Sequence, residues 1–340
     1  MRELASQAVA EEETPVRRDL TYIQAVTEAQ RWALETFPEA IVFGEDVGLP
    51  GGPYGSSKGL RREFGERVFD TPISESAMIG AAVGAAMRGL RPIVEIMFAD
   101  FFLVALDQVV NQAANVRYVS EGRFAAPLTL RSQQAATPGA CAQHSQSLEA
   151  FFAHTPGIRV CLPAHVGDAY ELLRAAIACD DPAIVLENRA LYPTKAEVVL
   201  GGPVEPIGGA RVEREGDGVT VVTWSRLVGE ALAAADEVAA EGVEAEVVDL
   251  RWLSPLDFET IAASVAKTGR LVVAHEANLT GGFGAEIAAR VAAECFWDLD
   301  APIERVALPD LRMPASPLLH AAVFPDAGKI AAAIRRAAGR

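Results

Sequence analysis

The sequence predicts an α/β protein of two domains, each a mainly parallel sheet flanked by helices, and three observations carry that expectation. Runs rich in Val and Ile, such as "RPIVEIMF" and "AIVLEN", alternate with amphipathic stretches such as "TYIQAVTEAQRWALE", the pattern of buried parallel strands covered by helices. With 340 residues, 50% of them hydrophobic, the chain is long enough to bury two cores. The alternation also stops once, in "YPTKAEVVLGGPVEPIGGARVEREGDG", and then restarts. That stretch is dense in Gly, Pro and charge, so it predicts a linker.

Taken in order, the polar and aperiodic "ASQAVAEEETPVRRD" predicts a flexible arm over residues 1–19. The first domain spans 20–195. It opens with a helix capped by Thr21, then the strand "AIVFGEDV", the glycine-rich loop "GLPGGPYGSSKG" and the proline-led "TPISESAMIG", which runs into a helix of small and apolar residues. "RPIVEIMF" is the next strand, and "FLVALDQVVNQAANVRY" reads as a helix carrying many amides. "PLTLRS", "IRVCLP" and "AIVLEN" complete the strands, with helices at "HSQSLEAFFAH" and "GDAYELLRAAIA". After a linker at 196–217, a smaller domain at 218–340 repeats the pattern through "VTVVTWS", "EAEVVDL", "RLVVAHE" and "PIERVAL", with helices between them and a last one near "DAGKIAAAIRRAA".

A net charge of −16 argues against nucleic-acid and anionic-membrane partners, because both would repel the chain. No apolar run reaches membrane-spanning length, and no secretory signal opens the chain. Cys141, Cys161, Cys179 and Cys295 are too scattered for a metal knuckle, so reduced thiols in a cytoplasmic protein are expected.

Several signals for chemistry are decoys. "GDG" at 216–218 precedes a strand and reads as a turn, and "GGFG" at 281–284 opens a helix without the spacing of a dinucleotide loop. H-E-x-x-H and P-loop patterns are absent from the sequence. Two sites survive. Glu75 sits at the start of an apolar helix, where the dipole favours its anion by about 0.3–1 kcal/mol. Burial opposes the charge and wins in a dry site. A carboxyl group so placed can hold or give a proton to a ring nitrogen, and the bland reading is an exposed helix-capping acid. His144, in "AQHSQSLEAFF", follows a glycine- and alanine-rich loop and precedes a helix, a place where loops present side chains to a cleft. His275 is a weaker candidate, while His154 and His165 read as surface or packing residues.

Joined together, "GEDVG", "DTPISE", "GAAVGAAMRGLRPIVEIMFADF", "LDQVVNQAANVRY", "AQHSQSLEAFFAHTPGIRV" and "APIERV" closely resemble the beta subunits of the decarboxylating component of 2-oxo acid dehydrogenase complexes, the pyruvate, branched-chain 2-oxo acid and acetoin dehydrogenases. The resemblance runs from about Leu20 to the C-terminus. It implies a transketolase-like pyrimidine-binding domain followed by a transketolase C-terminal domain, in an assembly of two alpha and two beta chains. The cofactor would be thiamine diphosphate, shared with an alpha subunit that supplies the diphosphate-binding motif and Mg2+. Glu75 occupies the place of the glutamate that hydrogen-bonds the aminopyrimidine, and Met97 and Phe101 match residues packed around that ring. His144 matches a histidine at the mouth of the site that assists acyl transfer to the lipoyl group of an acyltransferase. Leu128, Ala176, Cys179 and Asp181 align with positions whose backbone carbonyls hold K+ in some members. The small-residue face Gly80, Gly84, Ala85 and Arg88 lets helices of neighbouring subunits approach. Ala77, Met78 and the "RSQQAATPG" loop depart from the family pattern near the substrate end. They leave pyruvate, a branched-chain 2-oxo acid and acetoin open as substrates. A split transketolase or an acyloin-forming carboligase in a biosynthetic pathway is the alternative.

Overall fold

The computed structural model describes residues 15–340. Most of the flexible arm expected over 1–19 lies outside the described residues, and its described end is ordered as a strand. The chain divides into two compact units: one contains residues up to Gln133 together with His154–Ile207, the other Gln134–Ala153 together with Gly208–Arg340.

The first unit opens with β1 (Val16–Thr21) and α1 (Tyr22–Thr36). Thr21 begins the helix as expected: its Oγ1 accepts from the Gln24 amide at 3.3 Å while its own N–H donates to Gln24 Oε1 at 2.8 Å. Two of the helix's orphan donors are thereby satisfied reciprocally. There follow β2 (Ala40–Gly44), β3 (Val68–Asp70), α2 (Glu75–Met87), β4 (Arg91–Phe98), β5 (Thr129–Gln134), β6 (Arg159–Cys161), α3 (Val166–Ala178), β7 (Ala183–Asn188) and β8 (Lys195–Leu200). Strands β6, β7, β5, β4, β2 and β3 lie side by side in that order. The β2–β3, β2–β4, β4–β5 and β6–β7 pairs are parallel. Strand β8 returns to pair antiparallel with β1, so part of the stretch expected as linker is strand.

One element departs from its expectation. "FLVALDQVVNQAANVRY" is a chain of short helical turns: 3-10 at Ala99–Val104, π at Gln108–Gln112, 3-10 at Ala113–Asn115 and α at Val116–Val119. Its amides bond locally. Gln108 and Asn111 both donate to the Asp107 carboxylate at 2.8 Å, and the Asn115 amide donates to the Asn111 carbonyl at 3.2 Å. Such side-chain bonds compete with a regular α ladder, and π turns concentrate at functional places.

The second unit holds β9 (Arg211–Arg214), β10 (Val219–Thr223), α4 (Leu227–Ala239), β11 (Ala245–Asp249), β12 (Trp252–Ser254), α5 (Phe258–Thr268), β13 (Leu271–Asn278), α6 (Gly284–Glu294), β14 (Glu304–Leu308) and α7 (Ala327–Ala337). Its sheet runs β14-β13-β10-β11-β9, parallel except for β9 against β11. The "GDG" of 216–218 is a bend leading into β10, where the Gly218 amide donates to the Glu244 carbonyl at 2.8 Å. Asp257 and Asp326 cap α5 and α7 through their carboxylates. No helix among the described residues is long and apolar enough to cross a membrane.

Candidate active site

In a parallel sheet, loops and helix starts gather at the carboxyl ends of the strands, which is where α/β folds bind ligands. Here adjacent strands contribute three such ends. Glu45 and Asp46 follow β2, the segment leading to Glu75 follows β3, and Met97 lies at the end of β4 with Phe101 just beyond. Helix α2 packs against β4 and against the turn Ala99–Val104, and the Ser76 hydroxyl donates to the Val104 carbonyl at 2.6 Å. The fold therefore puts Glu75, Met97 and Phe101 on neighbouring elements.

Glu75 is the first residue of α2 and only 9% exposed. It does not stand alone. Burial raises the pKa of Glu45, and the charges of Glu75, Asp46 and Glu95 raise it further. Glu45 Oε1 is buried with no hydrogen-bond partner. In the sequence "AIVFGEDV" reads as a strand, which assigns this glutamate no role. Only the packing of β2 beside β3 reveals it as an electrostatic neighbour of Glu75. Met97 and Phe101 are half-buried, and Phe101 meets the Phe98 ring edge-on at 5.6 Å. The β4–β5 register shifts between Ile96 and Phe98, an irregularity of the kind that re-aims side chains next to sites.

Beneath this edge lies a second network that the sequence did not disclose. Arg131 on β5 donates through Nη1 to Glu95 Oε2 at 2.6 Å, and through Nε and Nη2 to the two oxygens of Glu187 at 2.8 and 2.9 Å. Ser56, from the glycine-rich loop, also donates to Glu95 at 2.6 Å, and Tyr192 donates to Glu187 at 2.8 Å. Arg131 is 1% exposed and Glu187 fully buried. Burial lowers the Arg131 pKa, but Glu187 and Glu95 raise it by more. Removing one partner of such a buried set typically costs about 3–5 kcal/mol. The arginine is thus consumed by structure.

That occupancy decides what the site can hold. Around Glu45 the local charge is acidic, from Glu75, Asp46 and Glu95, and the Arg131 guanidinium is already paired. A buried carboxylate, with a thioether and an aromatic ring on neighbouring elements, suits a flat nitrogen heterocycle. The same cluster would repel a diphosphate.

His144 belongs to the other compact unit, on a 3-10 turn at Ala142–His144 within residues 134–153. Ala136 of this segment joins the second unit's apolar cluster with Val219, Val221 and Leu227. His275 is fully buried and stacked on Trp224 at 5.4 Å, and burial drives its pKa down to about 4. A Cβ on Gly282 or Gly284 would fall 2.5 Å from that ring, so "GGFG" makes room for the imidazole. These glycines serve packing.

The four aligned carbonyl positions have hydrogen bonds of their own. Leu128 O accepts from the Ala183 amide at 3.0 Å, Ala176 O from the Cys179 amide at 3.3 Å and Cys179 O from Arg91 Nη1 at 2.9 Å. The Asp181 carboxylate takes Arg117 at 2.5 Å and Arg159 at 3.3 Å. All four cysteines are free thiols.

Comparison with known proteins gives two family matches, and the first includes residues 134–153. Residues 18–195 match the family described as transketolase, pyrimidine binding domain, and residues 208–330 match transketolase, C-terminal domain. The chain is 44% identical to pyruvate dehydrogenase E1 component subunit beta-2, mitochondrial, of Oryza sativa, over 95% of this chain and 87% of that protein. It is 40% identical to the 2-oxoisovalerate dehydrogenase subunit beta of Bacillus subtilis, over 94% of this chain and 98% of the other. It is 43% identical to the beta subunit of the acetoin:2,6-dichlorophenolindophenol oxidoreductase of Cupriavidus necator, over 94% and 97%. In fold it resembles a split-gene transketolase solved as an inactive beta4 tetramer, with TM-score 0.78 and 23% identity over 94% of this chain and 99% of that one.

Proposed function

This chain belongs to the family of transketolase-like beta subunits of 2-oxo acid and acetoin dehydrogenases, and from that premise we propose that it completes a thiamine-diphosphate site with an alpha subunit. The observation that carries the proposal is the buried Glu75 carboxylate at the carboxyl ends of β2, β3 and β4, with Glu45 beside it and Met97 and Phe101 on adjoining elements. When bound, the cofactor supplies the electron sink for loss of CO2 from a 2-oxo acid, or for cleavage of acetoin. Glu75 would hold the proton at the aminopyrimidine ring nitrogen, and Met97 and Phe101 would pack around that ring. The acidic surroundings leave the diphosphate, and with it the Mg2+ that it carries, to the alpha subunit, in an assembly of two alpha and two beta chains. His144 then orients the acyl group for transfer to the lipoyl group of an acyltransferase. With its cysteines unpaired, we place the protein in the cytoplasm.

The test is to co-express this chain with its alpha subunit and assay CO2 release from pyruvate and 3-methyl-2-oxobutanoate, and aldehyde formation from acetoin, with thiamine diphosphate and Mg2+. Turnover in the mixed sample and none from either chain alone is the expected result. Turnover by this chain alone would refute the shared site.

We also propose K+ at the backbone carbonyls of Leu128, Ala176, Cys179 and Asp181. The first three each accept a protein donor, and a carbonyl has two lone pairs to offer. The thermal midpoint should then be higher in potassium chloride than in sodium chloride at equal ionic strength. Equal midpoints would remove K+ from the account.

A further inference from the structure

The segment that carries His144 is closed on itself by one side chain. Gln134, at its start, accepts the Leu148 amide on Oε1 at 3.3 Å and donates from Nε2 to Glu149 Oε2 at 3.1 Å. The second Glu149 oxygen accepts from the Trp224 indole at 3.4 Å. Glu149 is 1% exposed and Gln134 5%, so these bonds form where water does not compete. Further along, Arg312 donates to Gln146 at 2.7 Å and the Gly139 amide donates to the Ala315 carbonyl at 3.0 Å. Inside the closed loop the backbone is strained: Ala135 and Cys141 hold φ of 87° and 54°, values that glycine adopts freely and other residues hold only when their surroundings compel it.

A buried carboxylate with both oxygens engaged is a costly feature when its only role is to end a loop. Burial raises its pKa, and the bonds from Gln134 and Trp224 work against that. We propose that Gln134 and Glu149 are positioning residues: they staple the two ends of residues 134–153 so that the His144 turn is presented in one geometry. The inference rests on the role given above to His144. It deepens that role, since displacement of a positioned group by about 1 Å can cost 10²-fold in rate.

The donor and acceptor pattern supplies a specific rescue. In Gln134→Leu or Glu149→Leu the staple is lost. In the double exchange Gln134→Glu with Glu149→Gln, the bonds to Leu148, between the two side chains and to Trp224 can re-form: the new carboxylate accepts Leu148 N–H and the new amide N–H, and the new amide oxygen accepts from Trp224. Two readouts are needed. The first is hydrogen exchange of the amides of residues 142–148 in the full chain. The second, in the assembled enzyme, is the ratio of acyl transfer to a lipoyl domain over decarboxylation with an artificial oxidant. Each single variant should speed exchange and lower the ratio by about tenfold or more, and the double exchange should restore both to within a few-fold. Single variants that lower the thermal midpoint but leave exchange and ratio unchanged would overturn the proposal, as would a double exchange that restores neither. His144→Ala separates the two claims: an unchanged ratio there refutes the role of His144, while the exchange measurement still decides the staple.

Discussion

Among individual residues, Glu75 and His275 show how one physical effect, burial of a titratable side chain, serves different ends. Glu75 lies buried at a helix start with an acidic neighbour, and its proposed role is to handle a proton. Glu75→Gln keeps the shape and removes that capacity, so cofactor-dependent turnover should fall by about 10²–10⁴-fold. Co-elution with the alpha subunit should persist, and full turnover would refute the assignment. His275 is instead held neutral. Its folded pKa of about 4 lies below the ordinary 6.5, because of burial first and the Arg305 charge second. As pH falls below about 6.5 the unfolded chain takes up a proton that the folded chain refuses, so stability is full above that pH and is lost progressively down to about pH 4. The loss is on the order of 3 kcal/mol. His275→Phe should flatten the urea midpoint between pH 7 and 4.5 relative to the parent chain, and parallel curves would show that another group titrates.

For single elements, α2 is the informative case. Its residues are small and apolar all round, and Ala81, Gly84 and Met87 remain exposed along it. A helix of this kind is stable when buried, and here part of it faces outward. A Cβ on Gly84 would meet nothing within 4 Å. Gly84→Leu should therefore leave the isolated chain as stable as before, or firmer by about 1 kcal/mol from helix propensity. Assembly with the alpha subunit should weaken if that face receives a neighbouring helix. Size-exclusion and thermal melts of the same variant check both parts, and unimpaired assembly would place the face outside any interface. The segment 102–118 was the least legible element. Its amides and apolar residues satisfy a helical period, yet local bonds to Asp107 and Asn111 divide it into π and 3-10 turns, which periodicity alone does not encode.

In the molecule as a whole, the two larger sheets were legible because parallel strands buried on both faces leave continuous apolar runs, as in "RPIVEIMF" and "AIVLEN". Glu75 and His144 stand out in the sequence as candidates because each sits in a local motif. Arg131 was not. Its partners Glu95 and Glu187 lie 36 and 56 residues away, and nothing local says that β5 runs between β4 and β7. Nor did the sequence disclose that residues 134–153 leave the first unit to pack with the second, carrying His144 with them.

The sequence by itself determined the α/β class, the order of strands and helices, the helix cap at Thr21 and the family, since these depend on local periodicity, capping chemistry and joined motifs. The tertiary structure alone decided which carboxylate stands beside Glu75, that Arg131 is spent on Glu95 and Glu187, and that Gln134 closes the His144 loop onto Glu149. Those are contacts between residues distant in the chain, and they arise only when strand order and burial bring polar groups into a space where each must find a partner.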